Sequence, residues 1–100
     1  MTRLRTAPAA RDDVRAIRTF SKSTFGPRVA KEYLEGLTAM FDVIEARPRA
    51  GVAEHGLGEE MRSLGYRSHR MYYQLQGEDV LVVRILHQAQ HIAGAFGSDG

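Results

Sequence analysis

Five side chains in the second half of the sequence are of types that can take part in acid–base chemistry on a phosphate ester. Such chemistry needs a base or orienting group beside the attacking hydroxyl, cations for the phosphate charge and an acid for the leaving oxygen. The candidates are Arg62, Arg70, Tyr72, Arg84 and His87. The two lysines of the sequence, Lys22 and Lys31, fall on predicted helices instead, so the strands offer such a site few cations.

Each of these residue types also has a structural role. Tyr72 and Tyr73 are neighbours on a predicted strand, where aromatic side chains are favoured for packing. His87 ends a strand, and both it and His69 fit the role of a structural histidine with satisfied hydrogen bonds. Arg84 interrupts an apolar run, so we expect it to pair with a carboxylate or with backbone carbonyls at the rim of the sheet, since a buried unpaired charge is too costly.

Other classes of site are absent from the sequence pattern. The sequence has no cysteine, and its four histidines lack helical or zinc-finger spacing. Neither a glycine-rich phosphate loop nor a nucleophile motif is present. We therefore expect no metal and no cofactor. The histidines are His55, His69, His87 and His91.

A predicted β-hairpin over residues 66–87 must position the candidates. Its arms are residues 66–75 and 80–87, joined by a turn at residues 76–79 in which Gly77 can take a positive φ. If Leu75 faces Val80, side-chain alternation sets the remaining pairs on that face. These are Tyr73 with Val82, Met71 with Arg84, and His69 with Leu86.

The opposite face of this hairpin is the predicted interaction surface. It carries Ser68, Arg70, Tyr72 and Gln74 on one arm and Leu81, Val83, Ile85 and His87 on the other. Only one helical hairpin precedes these strands, so this second face is expected to lack cover, and exposed apolar patches usually mark interaction sites. The predicted partner-binding residues are Arg70, Tyr72, Leu81, Val83, Ile85 and His87.

The earlier segments supply an edge strand and two helices. Residues 2–6 alternate weakly and predict the edge strand. A first helix starts at Pro8, with Thr6 or Ala7 as cap, and ends near Phe25, because Gly26-Pro27 stops it and starts a second helix that Pro48 terminates. The apolar positions of the first helix are Ala10, Val14, Ile17 and Phe20 or Ser21, and those of the second are Ala30, Tyr33, Leu34, Leu37, Met40, Phe41 and Ile44.

These segments predict an α+β fold of order β-α-α-β-β-β. Residues 49–59 form a surface connection, residues 61–64 a strand, and Gly65 the turn into the hairpin. A helical hairpin then packs on one face of a four-stranded, mainly antiparallel sheet. Residues 88–92 are compatible with a helical turn, and residues from about 92 to 100 are expected to form a mobile tail of a single domain spanning residues 1–100.

Charge and hydropathy limit the partners and the cellular location that we expect for the protein. Residues 1–50 hold ten of the fourteen Lys and Arg, but in no dense cluster, which favours a solvated helix surface over direct DNA binding. The N-terminus has no apolar signal segment, and no run is long enough to cross a membrane. We expect a soluble, cytoplasmic protein.

Several motifs occur together in a fixed order. The first helix carries A-x-x-D-V-x-x-I-x-x-F-S-x-x-x-F-G (residues 10–26), and the second A-x-x-Y-x-x-x-L (residues 30–37). Pro48, Gly51 and M-R-S-L (residues 61–64) follow, then S-H-R-M-Y-Y (68–73) and V-V-R-I-L-H-Q (82–88). This order resembles ParE-type toxins of the RelE/ParE superfamily over nearly the whole chain, and the last block is its most specific part.

The resemblance implies a toxin of a type II toxin–antitoxin module, of the kind once named plasmid stabilisation proteins. Such toxins share the β-α-α-β-β-β fold and poison DNA gyrase without being enzymes. A ParD-like antitoxin would wrap the toxin in a hetero-oligomer and make the DNA contacts. The tail departs from the family pattern, since His91 and a glycine-rich end replace an aspartate and a more helical segment, which leaves target and potency open.

Two alternatives remain at the level of sequence. The first is a RelE-like, ribosome-dependent mRNA endonuclease that would use the five candidates above. The second is an inactive homologue that serves only as a co-repressor or binding module.

Overall fold

Two helices that each begin with proline form the first half of the chain. In the computed structural model, which describes residues 2–89 and 95–96, α1 spans Pro8–Phe25 and α2 spans Pro27–Ala46. Proline suits the first helical position because its missing N–H would have no partner there. Gly26 between the helices has a φ of 93°, a conformation that glycine adopts without steric cost. Ala7 is the N-cap of α1.

The helices bury the predicted apolar stripes against one face of the sheet. In α1, Ser21 is buried and Phe20 is 62% exposed, which decides the alternative that the sequence left open. Together with the strands, the helices enclose a core whose largest buried side chains include Tyr73, Leu37 and Ile44. This packing is the two-layer arrangement expected when each element has a single apolar face.

The described part of the chain forms a sheet in the order β1-β5-β4-β3-β2. β1 lies beside β5 in the parallel sense, and the other neighbours are antiparallel. The α+β class and the mainly antiparallel sheet are therefore confirmed. The strands are β1 Leu4–Thr6, β2 Val52–Ala53, β3 Met61–Tyr66, β4 His69–Gln76 and β5 Asp79–His87.

The expected strand number of four is wrong, because five strands pair within the described residues. The additional strand, β2, lies inside the segment that was predicted to be an irregular connection. It pairs Val52 with Ser63 and Ala53 with Arg62 at the edge of the sheet. Two residues are too short to show a period-2 pattern, so pairing with β3 alone reveals the strand. A 3₁₀ turn, His55–Leu57, follows it.

The turn before β4 also differs from the expected one. Gly65 lies inside β3, opposite Arg70, and the chain reverses at Arg67 and Ser68 instead. Arg67 takes a φ of 52° there, a conformation that sequence would assign to glycine or asparagine. The turn into β5 is as predicted, and Gly77 has a φ of 66°.

A β-bulge on β5 changes the predicted register. Leu75 pairs with Val80 and Tyr73 with Val82 as expected, but Tyr72 then pairs with Arg84. Val83 is the extra residue, and one extra residue exchanges the two faces for every position after it. The expected pairs Met71 with Arg84 and His69 with Leu86 are therefore wrong. The observed pairs are Met71 with Ile85, Arg70 with Leu86, and His69 with His87.

The C-terminal expectations are tested only in small part. Gln88 and Ala89 form a turn, and residues 90–92 of the expected helical turn lie outside the described residues, as does most of the expected mobile tail. Ala95 and Phe96 are described, and they contact the sheet. Neither helix in the described ranges combines the length and apolarity of a membrane span.

Candidate functional site

The outer face is the side of the sheet that points away from α1 and α2. Alternation through the observed register decides which side chains lie on it. The bulge residue Val83 packs at its border against the apolar cluster of Met61, Tyr72 and Leu86. The outer-face side chains of the three central strands include Met61, Ser63, Arg70, Tyr72, Gln74, Leu81, Arg84 and Leu86.

Two of the six predicted partner-binding residues do not belong to this face. Ile85 is 2% exposed and lies in the core with α1 and α2. His87 lies on the helix side, where its ring contacts that of His69 at 5.3 Å between centroids. The bulge at Val83 is the physical reason, since it exchanges the faces of these two residues. Arg70, Tyr72 and Leu81 keep their expected placement.

The chain's own C-terminal residues cover part of the outer face. The ring of Phe96 packs edge-on against Tyr72, with centroids 5.3 Å apart, and Tyr72 is only 3% exposed. Arg84 donates a 2.7 Å hydrogen bond from Nη1 to the carbonyl of Ala95. The expectation of an uncovered apolar surface around Tyr72 is therefore wrong.

Arg84 makes the ion pair that its place in an apolar strand predicted. Its Nε and Nη2 donate to the two carboxylate oxygens of Asp13 on α1, at 2.8 and 2.9 Å. This hydrogen bonding, opposed by burial, raises the pKa of Arg84 above its usual value. The same carboxylate accepts the backbone N–H of Ile85 at 2.9 Å. β1 ends at Thr6, opposite Val82. Beyond that point, the Asp13 carboxylate accepts a backbone N–H of β5 that has no neighbouring strand to bind.

A series of hydrogen-bonded polar side chains crosses the outer face beside Tyr72. The hydroxyl of Ser63 donates to a carboxylate oxygen of Glu54 at 2.5 Å and accepts from Arg70 Nη1 at 2.9 Å. Burial raises the pKa of Tyr72, the charge of Glu54 adds to the rise and Arg70 opposes it. The phenol therefore stays protonated at neutral pH and is a poor general base. Because Glu54 lies in the connecting segment, sequence spacing gave no sign of this contact.

The five candidate catalytic residues divide between two sides of the sheet. Arg70, Tyr72 and Arg84 share the outer face. Arg62 is paired with Tyr73 and donates to the carbonyl oxygen of Gly51 at 2.7 Å, and His87 is on the helix side. The structure therefore does not bring the five together into one site.

A second polar cluster lies on the helix side, where strands β4 and β5 meet α2. The hydroxyl of Tyr33 and Nδ1 of His69 are 2.6 Å apart, and the Ser68 hydroxyl lies 3.3 Å from the same phenol oxygen. Burial lowers the pKa of His69, the charge of His87 adds to the fall and Asp13 opposes it. Within the described ranges, no group of three or more histidine, aspartate or glutamate side chains could hold a metal ion.

An apolar groove that sequence analysis missed opens beside this cluster. We call it the end groove. It has a volume of about 780 Å³, and the exposed rings of Phe20 and Phe25 meet edge-on at one wall with centroids 6.3 Å apart. Hydrophobicity alone would bury Phe20 rather than Ser21, and only the packing of α1 shows the reverse. Its lining includes Ile17, Phe20, Phe25, Val29, Tyr33 and Arg67.

Comparison with known proteins gives consistent matches along the chain. Residues 4–92 match the family model described as the ParE toxin of the type II toxin–antitoxin system parDE. Toxin ParE3 of Caulobacter vibrioides is 30% identical over 94 residues, covering 94% of this chain and 93% of that protein. Toxin ParE1 of the same organism is 28% identical over 88 residues, covering 88% and 91%.

A solved structure shares the fold. It is the chromosomal ParDE TA system from P. aeruginosa, with a TM-score of 0.76 and 17% identity. The match covers 87% of this chain and 96% of that one. At this identity the likeness supports the architecture alone.

Proposed function

Since the chain belongs to the ParE toxin family of type II toxin–antitoxin systems, we propose that it acts through protein–protein contact. Its target in this proposal is DNA gyrase, and its action needs no catalytic residue. A ParD-like antitoxin neutralises it in the cytoplasm as a hetero-oligomer and supplies the DNA contacts of the complex. The partner-binding residues proposed on the outer face are Arg70, Leu81 and Val83, because Phe96 already covers Tyr72.

The observation that carries the proposal is that three candidate catalytic side chains are already hydrogen-bonded within the protein or buried. Arg84 is bound to Asp13 on two atoms, and Arg70 is bound to Ser63. Tyr72 is buried under Phe96 with its pKa raised. Cleavage of RNA would need cations free to meet a phosphate and a base able to reach a 2′-hydroxyl. These contacts favour structural roles for the three residues over an endonuclease site.

The test combines growth with two activity assays. Cells induced for this chain should stop growing, and co-expression of the antitoxin encoded beside it should restore growth. The purified protein should inhibit supercoiling by gyrase or stabilise its cleaved DNA complex. Site-specific cleavage of translated mRNA without an effect on gyrase would contradict the proposal and favour the endonuclease.

Tyr72→Phe is the variant that distinguishes the two mechanisms. It removes the phenol hydroxyl and keeps the ring that packs against Phe96. A toxin that works by contact should stay active within about threefold, whereas loss of a general acid or base typically lowers a rate by about 10²–10⁴-fold. Normal growth with both the wild type and the variant would instead indicate an inactive homologue.

A further inference from the structure

Two histidines on neighbouring strands form part of the wall of the end groove. His69 on β4 is paired with His87 on β5, their ring centroids are 5.3 Å apart, and both side chains line the groove. His69 is partly buried and His87 is exposed. Histidine is the side chain whose ordinary protonation falls between about pH 5 and pH 8. The charge of this wall therefore changes in a pH range where arginines and most carboxylates keep theirs.

The groups that pack around His69 on the groove side are neutral or positive. On α2, the hydroxyl of Tyr33 lies 2.6 Å from Nδ1 of the ring. On β3, Tyr66 packs edge-on against Tyr33, with centroids 5.1 Å apart. In the turn between β3 and β4, the guanidinium of Arg67 lies within 6 Å of the centroids of both phenol rings, at 5.9 and 5.6 Å. A proton on His69 would thus enter a setting that already holds a cation.

A carboxylate on α1 offsets this charge only from a distance. The negative charge of Asp13 opposes the lowering of the pKa of His69. The Asp13 carboxylate, however, accepts from Arg84 Nε at 2.8 Å and from the N–H of Ile85 at 2.9 Å, so it is not free to turn towards a protonated ring. Among the described residues that line the groove there is no aspartate or glutamate.

Protonation of His69 alters the charge of the groove more than its hydrogen bonds. A neutral ring can accept the phenol hydrogen of Tyr33 at Nδ1, and a charged ring can donate Nδ1–H to the phenol oxygen. In the second case the phenol hydrogen can turn to Ser68 Oγ, which lies 3.3 Å away. The contact is therefore compatible with both states. What opposes protonation is burial, followed by the charge of His87, and these two causes lower the pKa of His69.

We propose that the histidine pair makes the end groove a proton-operated surface, which holds a partner segment near neutral pH and releases it in mild acid. The partner is the antitoxin, so the inference rests on the proposed function. A segment that fills the groove takes both rings further from water, and a charged ring resists this more than a neutral one does.

Proton uptake and partner binding therefore oppose each other. The pKa of His69 in the free chain lies below the ordinary value of 6.5, and the partner lowers it further. The affinity is thus fully present above pH 6.5 and is lost as the pH falls through the pKa of the free chain. By linkage, the partner weakens proton binding by the same factor by which the proton weakens partner binding.

Titration calorimetry with the purified antitoxin encoded beside this chain tests the regulation between about pH 7.5 and pH 5.0. The affinity of the wild type should fall by about tenfold or more over this range. For the double variant His69→Asn, His87→Asn, it should change by less than about threefold, because asparagine does not titrate. His55→Asn is the matched control, since His55 does not line the groove, and it should keep the pH dependence of the wild type. Circular dichroism at each pH checks that the variants remain folded.

NMR provides a measurement that a purely structural histidine would not affect. The ring signals of His69 report the pH at which the ring is half protonated, in the free chain and in the complex. This midpoint should be lower in the complex. An equal or higher midpoint in the complex would overturn the inference.

The remaining outcomes separate the inference from the proposed function. If the affinities of the wild type and the double variant fall in parallel, groups outside the groove govern the pH dependence and the inference is wrong. If the affinity of the wild type rises in acid, the partner presents carboxylates to the histidines, which also overturns it.

If the wild type neither binds the antitoxin at any pH nor inhibits growth, the proposed function itself fails. The change in the groove is then measured with Nile red, a neutral apolar dye. Its binding should weaken in acid for the wild type and not for the double variant, and equal pH profiles would overturn the inference.

Discussion

Arg84 occupies a position where hydrophobicity would place an aliphatic side chain, and the carboxylate of Asp13 makes this possible. The two side chains are 21% and 15% exposed, so water screens the pair less than it would at the surface. Sequence analysis predicted the kind of contact but not the partner. The partner lies 71 residues away on α1, and no local pattern links the two positions.

Replacing Asp13 with asparagine should lower the free energy of unfolding by about 2 kcal/mol. Asparagine can still accept the N–H of Ile85, but it leaves the Arg84 guanidinium without its negative partner. The matched control is Asp12→Asn, because Asp12 pairs with Arg15 at the surface, where the two side chains are 72% and 67% exposed. That change should cost less than about 0.5 kcal/mol. Urea unfolding measures both, and equal losses would contradict the structural role of Asp13.

His69 should make stability depend on pH. Its pKa in the folded protein lies below the ordinary value of 6.5, so the unfolded chain binds protons more readily. Its contribution is fully present above pH 6.5 and is lost as pH falls below that value towards the folded pKa. His69→Asn should therefore reduce the loss of stability between about pH 7.5 and pH 5.5.

The exposed His55 supplies the control for the substitution itself. Its ring lies in the 3₁₀ turn, and His55→Asn should leave the free energy of unfolding at about pH 7.5 nearly unchanged. A profile that is the same for the wild type and for His69→Asn would show that the burial of His69 does not cause the pH dependence.

At the scale of elements, Tyr73 fixes the segment that leads from α2 into β2. Its hydroxyl donates to the carbonyl of Pro48 at 2.8 Å and accepts the N–H of Gly51 at 2.8 Å. Burial raises the pKa of this phenol, while the hydrogen bond from Gly51 and the charge of Arg62 oppose the rise. One buried ring on the central strand thus holds in place a segment whose composition predicts an irregular connection.

Gly51→Ala should be strongly destabilising. A β-carbon there would lie 2.5 Å from the Tyr73 hydroxyl oxygen and 2.6 Å from the backbone oxygen of Ser63. Neither atom can move without disturbing β3 or β4, so we expect a loss of about 2–3 kcal/mol. At Gly56, a β-carbon would meet nothing within 4 Å, and Gly56→Ala should change stability little. Thermal unfolding of the pair provides the comparison, and similar midpoints would contradict the close approach.

The elements that sequence predicted best are those with long periodic patterns. The apolar stripes of α1 and α2 and the start of β5 follow their 3.6- and 2-residue periods closely. Those it missed depend on contacts beyond the local pattern. β2 is two residues long, and the bulge at Val83 interrupts an apolar run in which every register looks acceptable. Arg67 forms a turn with no glycine of its own, so the turn was assigned to Gly65.

At the scale of the whole molecule, the C-terminal residues complete a second, smaller apolar cluster on the outer face. Met61, Tyr72 and Leu86 are buried there with Phe96 packed against them. The sequence pattern predicted an unpaired surface because the tail has no periodicity that would reveal a contact. Among the described residues, this cover consists of the Phe96 ring on Tyr72 and of the Ala95 carbonyl that accepts from Arg84.

Phe96→Ala should expose this cluster without disturbing the main core. We expect a loss of about 1 kcal/mol in unfolding free energy, together with an increase in the fluorescence of an added dye that binds apolar surface. Phe25→Ala removes a ring that is already 60% exposed and should decrease dye binding. If Phe96→Ala leaves both signals unchanged, the tail does not seal the outer face.

The extra residue in β5 has a consequence for how this strand tolerates substitution. Before Val83 the helix-facing positions are even-numbered, Val80 and Val82, and after it they are odd-numbered, Ile85 and His87. Saturation mutagenesis of β5 should thus find the positions most sensitive to polar substitution at even numbers before Val83 and at odd numbers after it. Deleting Val83 alone would restore a single alternation along the strand, in which Val82 and Ile85 face the helices and the guanidinium of Arg84 between them stays on the outer face.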